Sequence, residues 1–287
     1  AAVTQPDRRK GRGKALAPPP LKPIAEERGV PVLQPHRVKE PEAQEALRRF
    51  EPELQVVVAF GQILPPSVID IAPRGTVNVH ASLLPRLRGA APIQWAIANG
   101  ETTTGVSTML IDEGLDTGPV LLQRTLNIGP EETAAELEPR LARLGADVLA
   151  ETVRGLSDGL LEPKPQDHDK ATLAPILRKE DGRIDWSRSA HEIACRTRGF
   201  HPWPGSFTSH GGRTLKVRQA RVQAESSGAG AAASPGTVLD VGGNGVLVAC
   251  GAASRLLLVE VQPESRRPMP AAAFAAGARL SPGDTLG

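Results

Sequence analysis

Residues 53–65, ELQVVVAFGQILP, carry an apolar run from Val56 to Phe60 with no alternation of polar and apolar positions, closed by Gly61 and Pro65. A short continuous run bounded by turn residues is the sequence pattern of a parallel strand covered on both faces. Its neighbours alternate in kind. Upstream, PIAEERGV (23–30) suits a short helix ended by Gly29, VPVLQP (30–35) is strand-like, and 41–51 suits an amphipathic helix with Ala46, Leu47 and Phe50 apolar. Downstream, a helix at 65–72 leads into a strand, GTVNVHA (75–81), and a helix at 91–98 ends at Asn99-Gly100. Two strands, GVSTMLI (105–111) and PVLLQRTLNI (119–128), flank the loop DEGLDTG (112–118). A long helix follows, with Thr133 as N-cap and a stripe of Leu137, Leu141, Leu144, Val148 and Leu149. Strands alternating with helices predict an α/β fold with an open, mainly parallel sheet. Ligands of such sheets bind beyond the carboxyl ends of the strands.

Composition shifts after Gly159. Residues 161–182, LEPKPQDHDKATLAPILRKEDG, are rich in Pro and charge and read as a linker. A helix at 188–198 and GFHPWPGSF (199–207) precede short strands at 214–222, 236–241, 245–251 and 255–263, a spacing that suits a small β-barrel or sandwich. ESSGAGAAASPG (225–236) is a flexible loop within it. The expected division is 1–160, a linker at 161–181, and 182–287.

The chain has 287 residues, 40% hydrophobic and 23% charged, enough for two cores. With 29 Gly and 27 Pro in no repeat, it is turn-rich rather than fibrous. Cys195 and Cys250 have no metal or redox spacing and read as buried thiols of a cytoplasmic protein. No stretch nears the roughly 18 apolar residues of a membrane span, so no membrane partner is expected. The formal net charge is only +2, but residues 7–14, DRRKGRGK, set Arg8, Arg9, Lys10, Arg12 and Lys14 against Asp7. With two glycines and APPP following, this segment reads as a solvated charge run or as a flexible basic loop that closes on phosphates.

Asn78 and His80 lie two apart on one strand, so both side chains project from the same face near its carboxyl end. In isolation the pair reads as a hydrogen-bonded core histidine beside a turn-forming amide. Asp116, in a loop with Asp112 and Glu113, is either a solvated turn acid or a carboxylate folded inward to orient His80. The second option makes an amide donor, an acid/base and an orienting acid, with no nucleophile. No HxxxH or cysteine cluster suggests a metal, GRG and GNG lack the context of a phosphate loop, and Trp186 and Trp203 read as packing anchors.

NVHASLLPRLRGAAPIQWAIANGE (78–101) and DEGLDTG (112–118) resemble the two central motifs of the folate-dependent formyltransferases. VVVAFGQILP (56–65) is similar to the family's folate-lining strand, with Phe60 where Tyr is usual. TQPDRRKGRGK (4–14), GRIDWS (182–187) and HPWPGS (201–206) resemble the family's tRNA-acting branch. The resemblance runs from Val3 to about Pro270. It implies a Rossmann-like catalytic domain at 1–160 and an OB-like, tRNA-binding barrel at 182–287. It further implies catalysis by Asn78, His80 and Asp116, with 10-formyltetrahydrofolate as formyl donor and no metal. The folate would lie against Ser82, Leu83, Leu84, Pro85, Val58, Phe60, Gly61, Ile63, Asp112 and Gly114. Initiator methionyl-tRNA would be held by Arg8, Arg12, Lys14, Lys216 and Arg218, the last two sharing a strand face with Arg221 beyond, on a cytoplasmic monomer. The family places a strand, a helix and most of a second strand before VTQPD, absent from this sequence. That predicts a sheet lacking an inner strand, with unpaired edges and weak activity. The rival readings are a formyltransferase for a sugar nucleotide, a formyl-folate hydrolase, and a non-catalytic RNA-binding module.

Overall fold

The structure is a computed structural model describing residues 1–10, 15–223 and 233–287. The elements of the first half are β1 (Ala2–Val3), β2 (Arg8–Lys10), β3 (Ala15–Ala17), α1 (Leu21–Glu27), β4 (Val32–Leu33), α2 (Pro41–Arg48), β5 (Gln55–Val57), α3 (Pro66–Ile69), β6 (Thr76–His80), α4 (Pro92–Ala98), β7 (Thr103–Leu110), β8 (Val120–Asn127) and α5 (Ala134–Ser157). The second half holds α6 (Ala190–Gly199), β9 (Ser206–His210), β10 (Arg213–Gln223), β11 (Val238–Gly242), β12 (Gly245–Ala249), β13 (Arg255–Pro263), β14 (Met269–Pro270) and α7 (Ala271–Ala278). By packing, the chain divides into one unit of 1–80, 107–123 and 147–170, and a second of 81–106, 124–146 and 171–287.

In the first unit the strands are parallel at the start and antiparallel after β6. β1 pairs with β4 in parallel, and β5 with β6 in parallel, but β7 runs antiparallel to β6. The expected mainly parallel sheet is therefore a mixed one, in the order β5-β6-β7-β8. β1 and β4 form a separate two-stranded pair, leaving β5 as an edge. A cavity of about 520 Å³ is lined by Val3, Phe50, Val56, Val58, Phe60 and Leu64, among others.

This corrects the reading of residues 53–65. The strand is only Gln55–Val57, and Val56 and Val58 are 43% and 58% exposed rather than covered on both faces. Pattern alone reports that a run is apolar, not which neighbour covers it. Val77 at 0% and Val106 and Met109 at 1% are among the apolar strand residues that are buried. On α5 the expected stripe holds, with Leu137, Leu141 and Val148 buried and the Thr133 hydroxyl donating to Glu136 at the helix start.

Of the basic segment 7–14, Arg8–Lys10 form strand β2. β2 and β3 pair as an antiparallel hairpin, Arg8 opposite Ala17. Residues 11–14, with Arg12 and Lys14, lie outside the described residues, as does 224–232 of the Gly/Ala-rich loop. The stretch 161–181 is not a loose connector. Lys164 exchanges backbone hydrogen bonds with Val120, and Arg88 does so with Thr172 and Ala174. Its prolines limit helix and sheet, but isolated bridges satisfy its backbone groups instead.

In the second unit the strands form an antiparallel sheet, β11-β12-β13-β10-β9, with β14 on β13. Its core joins Trp186, Ile193, Leu215, Val217, Leu256, Leu258 and Val261 with Ala271 and Ala275 of α7. α6 begins with a capping box in which the Ser189 hydroxyl and Glu192 carboxylate satisfy each other's backbone N–H. Trp186 is an anchor as expected, its indole N–H donating to the Thr208 hydroxyl, but Trp203 is 55% exposed and is not one. Both cysteines are free and buried, and burial pushes the Cys250 thiol up to about 12.

α4 packs on α6 in the same unit, because Gly199 lets the helices approach. A Cβ there would lie 2.7 Å from the Gln94 carbonyl oxygen. Phe200, fully buried beside Ala91, Ala98 and Leu177, meets Trp95 edge-on with ring centroids 5.4 Å apart. Phe200→Ala is expected to lower stability by about 3–5 kcal/mol, read as an earlier urea unfolding midpoint. A midpoint equal to wild type would mean that this cluster is not a packed core.

Candidate active site

β6 places Asn78 and His80 on one face of the first unit's sheet, as the period of two requires. His80 is buried at 6% exposure and Asn78 is half-buried. Cross-strand register extends the row, since Asn78 stands opposite Met109 and His80 opposite Ser107 on β7. Directly opposed residues of an antiparallel pair share a face, so Ser107, fully buried, is a neighbour of the imidazole. Its hydroxyl accepts from the Gln123 amide at 2.8 Å.

Asp116 is folded inward, the second of the two options its sequence leaves open. One carboxylate oxygen lies 3.7 Å from His80 Nδ1, within ion-pair reach and beyond hydrogen-bond length. It faces the Nδ1 side of the ring.

Asp112, Gly114, Thr117 and Gly118 of the loop serve that placement. The Asp112 carboxylate accepts from Gly114 N–H at 3.1 Å and from the Thr117 hydroxyl at 2.7 Å, an Asx-type turn. A Cβ on Gly114 would lie 1.9 Å from Thr117 Oγ1, and one on Gly118 1.9 Å from the Leu110 carbonyl oxygen. The sharp turn so made carries Asp116 at φ 52°, in the left-handed region. Its carbonyl and that of Gly118 both accept from the Gln166 amide, at 2.9 and 2.7 Å. Gln166 is buried at 8% exposure and lies in the stretch read as a linker. It is the residue that sequence reasoning missed. A lone Gln in a Pro-rich run carries no periodicity or motif, so nothing local could have marked it. Ser107 was equally hidden, because cross-strand register is not readable from one strand.

The remaining expected residues separate into groups. Within the second unit, the Ser82 hydroxyl donates to the Arg86 carbonyl at 2.6 Å, which closes the turn after β6. Leu84 is buried, and Leu83 and Pro85 are half-buried. In the first unit Val58 and Phe60 line the apolar cavity described above, whose lining includes none of Asn78, His80 and Asp116. Gly61 and Ile63 are exposed, Ile63 at 95%. Arg8 is exposed at the start of the basic hairpin.

Lys216 and Arg218 do not form the simple shared face that their spacing predicts. A register shift between Val217 and Gln219 makes Arg218 an extra residue in a bulge of β10 against β13. Lys216 is exposed, while Arg218 is half-buried and its Nε is buried without a hydrogen-bond partner among the described residues. Arg221 pairs with Glu131 at 3.8 Å in solvent, which contributes little. Burial first, and then the Arg218 charge, push the His201 imidazole below its ordinary value. Among the described residues no group of His, Cys, Asp and Glu is arranged to hold a metal ion, and no helix is long and apolar enough to cross a membrane.

Residues 1–153 match the family model described as formyl transferase, and residues 176–279 the one described as formyl transferase, C-terminal domain. The chain is 50% identical over 287 residues to the methionyl-tRNA formyltransferase of Geobacter sulfurreducens, covering all of this chain and 88% of that protein. With the methionyl-tRNA formyltransferase of Myxococcus xanthus it shares 50% over 283 residues, 99% of this chain and 88% of the relative. Among solved structures it resembles WlaRD, a sugar 3N-formyl transferase determined in the presence of dTDP and 5-N-formyl-THF. There the TM-score is 0.64 at 16% identity, covering 86% of this chain and 82% of that one. HypX from Aquifex aeolicus in complex with tetrahydrofolic acid gives 0.61 at 20% identity, covering 90% and 44%. At those identities the likeness is one of fold.

Two outcomes test this geometry. Gln166→Leu is expected to speed amide exchange of residues 112–118 about tenfold, since two buried carbonyls lose their donor. Unchanged exchange would show that Gln166 does not hold the loop. Arg218→Gln is expected to raise the His201 titration midpoint followed by NMR, but to leave it below the ordinary value because burial is the larger cause. A midpoint that stays put would remove Arg218 from the neighbourhood of His201.

Proposed function

The chain belongs to the formyl transferase family, and from that premise we propose that it transfers the formyl group of 10-formyltetrahydrofolate to the amino group of initiator methionyl-tRNA. The observation that carries the site assignment is the grouping of Asn78, His80 and Asp116, with Asp116 Oδ2 3.7 Å from His80 Nδ1. The half-identical relatives named methionyl-tRNA formyltransferase support the substrate pair.

The chemistry needs no enzyme nucleophile. The methionyl amine attacks the formyl carbon, and the carbonyl oxygen takes up negative charge as the carbon becomes tetrahedral. An oxyanion of that kind is stabilised by donors fixed in advance, here the Asn78 amide and the His80 ring. The carbon–N10 bond then breaks, and the proton lost by the amine reaches N10 of the departing tetrahydrofolate. His80, oriented by Asp116, is the group placed to carry it. Asn78 and His80 project together, so both roles act on one substrate atom group.

The folate contacts proposed are the 82–85 turn, Val58, Phe60, Gly61 and Ile63, and Asp112 and Gly114 of the acid loop. Arg8, Arg12, Lys14, Lys216 and Arg218 are the proposed tRNA contacts. An arginine whose Nε is desolvated without a partner, as in Arg218, gains more from an added phosphate than a solvated one does. The protein is proposed to act as a cytoplasmic monomer without a metal.

The direct test is formylation of initiator methionyl-tRNA by 10-formyltetrahydrofolate. Asn78→Ala and His80→Ala are each expected to lower kcat about 10²–10³-fold, with smaller changes in either KM. Activity unaltered by His80→Ala would refute the site. Asp116→Asn is expected to lower kcat less than His80→Ala does, and an unaltered rate would remove its orienting role. A chelator is expected to leave the rate unchanged. A sugar-nucleotide amine accepted in preference to methionyl-tRNA would favour the rival reading.

A further inference from the structure

The root of the basic hairpin is tied to the 58–63 segment through a single side chain. Gln5, two residues after β1, uses both ends of its amide. Its Nε2 donates to the Phe60 carbonyl at 2.8 Å, and its Oε1 accepts from the Arg8 guanidinium at 3.0 Å. Phe60 presents that carbonyl from a sharp turn, between Ala59 at φ 47° and Gly61 at φ 76°. Arg8 opens strand β2 of the hairpin. A two-bond chain, Phe60–Gln5–Arg8, thus joins a segment proposed for folate to one proposed for tRNA.

The surroundings hold Gln5 still. Its own carbonyl accepts from the Gln34 amide at 2.9 Å, and Thr4 N–H donates to the Leu33 carbonyl beside β4. The same Gln34 amide donates to Asp7 at 2.8 Å, and Lys22 of α1 donates to both Asp7 oxygens at 3.1 and 3.0 Å. Gln34 first and Lys22 second keep the Asp7 carboxyl below its ordinary value, so this clamp stays charged at neutral pH. With its main chain fixed at this end, Gln5 transmits a shift of Phe60 to Arg8 instead of absorbing it.

We propose that Gln5 is a positioning residue that couples the two substrate sites, so that folate against residues 58–63 tightens tRNA binding by the hairpin. This rests on the folate and tRNA assignments of the proposed function. Linkage makes the effect reciprocal, with each ligand tightening the other by the same factor. One hydrogen-bond chain sets that factor at about fivefold.

The test measures the Kd of methionyl-tRNA for the 287-residue chain with and without saturating tetrahydrofolate, and the Kd of tetrahydrofolate with and without the tRNA. Wild type is expected to show about fivefold tightening in both directions. Gln5→Glu keeps an acceptor for Arg8 but has no donor for the Phe60 carbonyl. Its added charge beside Arg8 is expected to weaken tRNA binding alone, and the effect of folate on that binding is expected to be lost. Gln5→Met lacks both groups and is expected to weaken tRNA binding and to lose the coupling. A role limited to stability would shift both Kd values without abolishing their mutual dependence. Wild type binding both ligands independently, or Gln5→Glu keeping the full coupling, overturns the proposal alone. Wild type binding neither ligand overturns the proposed function with it.

Discussion

Asp116 is held at φ 52° so that its carboxylate reaches to 3.7 Å from His80, and the candidate site depends on that placement. A left-handed non-glycine residue costs on the order of 1 kcal/mol, and the loop offsets it locally. Asp112 closes the preceding turn, Gly114 and Gly118 admit backbone where a Cβ could not fit, and Gln166 binds the Asp116 and Gly118 carbonyls. Within the loop the left-handed non-glycine conformation falls on Asp116, the residue proposed to orient His80, an arrangement common at reactive sites. β6 supplies the other half, because its period of two aims Asn78 and His80 together and its antiparallel partner β7 adds Ser107.

Much of this was legible before any coordinates. The Asn78/His80 spacing and the D-x-G-L-D-T-G loop each encode geometry locally, through strand period and glycine placement, and local rules survive without tertiary knowledge. Apart from β2 and β3, the elements of the first half and the α5 stripe are readable for the same reason. What failed was what depends on partners. The Val56–Phe60 run says apolar but not covered, and Val56 and Val58 stand exposed at a cavity instead of inside a sheet. The expected parallel sheet turns antiparallel at β7, which no feature of β7 itself announces. Lys216 and Arg218 were read by simple alternation, and a bulge breaks it. Gln166 and Gln5 act through single side-chain amides across 50 and 55 residues of chain, a separation at which sequence carries no pattern.

The site explains why the sequence offers no nucleophile motif. An amine is itself the nucleophile, and formyl transfer to it asks for charge stabilisation and a proton route, the tasks proposed for the Asn78 amide, the His80 imidazole and the Asp116 carboxylate. The proposed tRNA contacts, Arg8 of the basic hairpin and the half-buried Arg218, would supply a different quantity, affinity for a polyanion, away from the reacting carbon.

Direct transfer is the central claim, and single-turnover labelling tests it. Enzyme is mixed with formyl-labelled 10-formyltetrahydrofolate, quenched at intervals, and then chased with methionyl-tRNA. Direct transfer leaves no label on the protein at any time and places label on the methionyl amine only after tRNA is added. Label bound covalently to the protein before the chase, and passed from there to the tRNA, would contradict it.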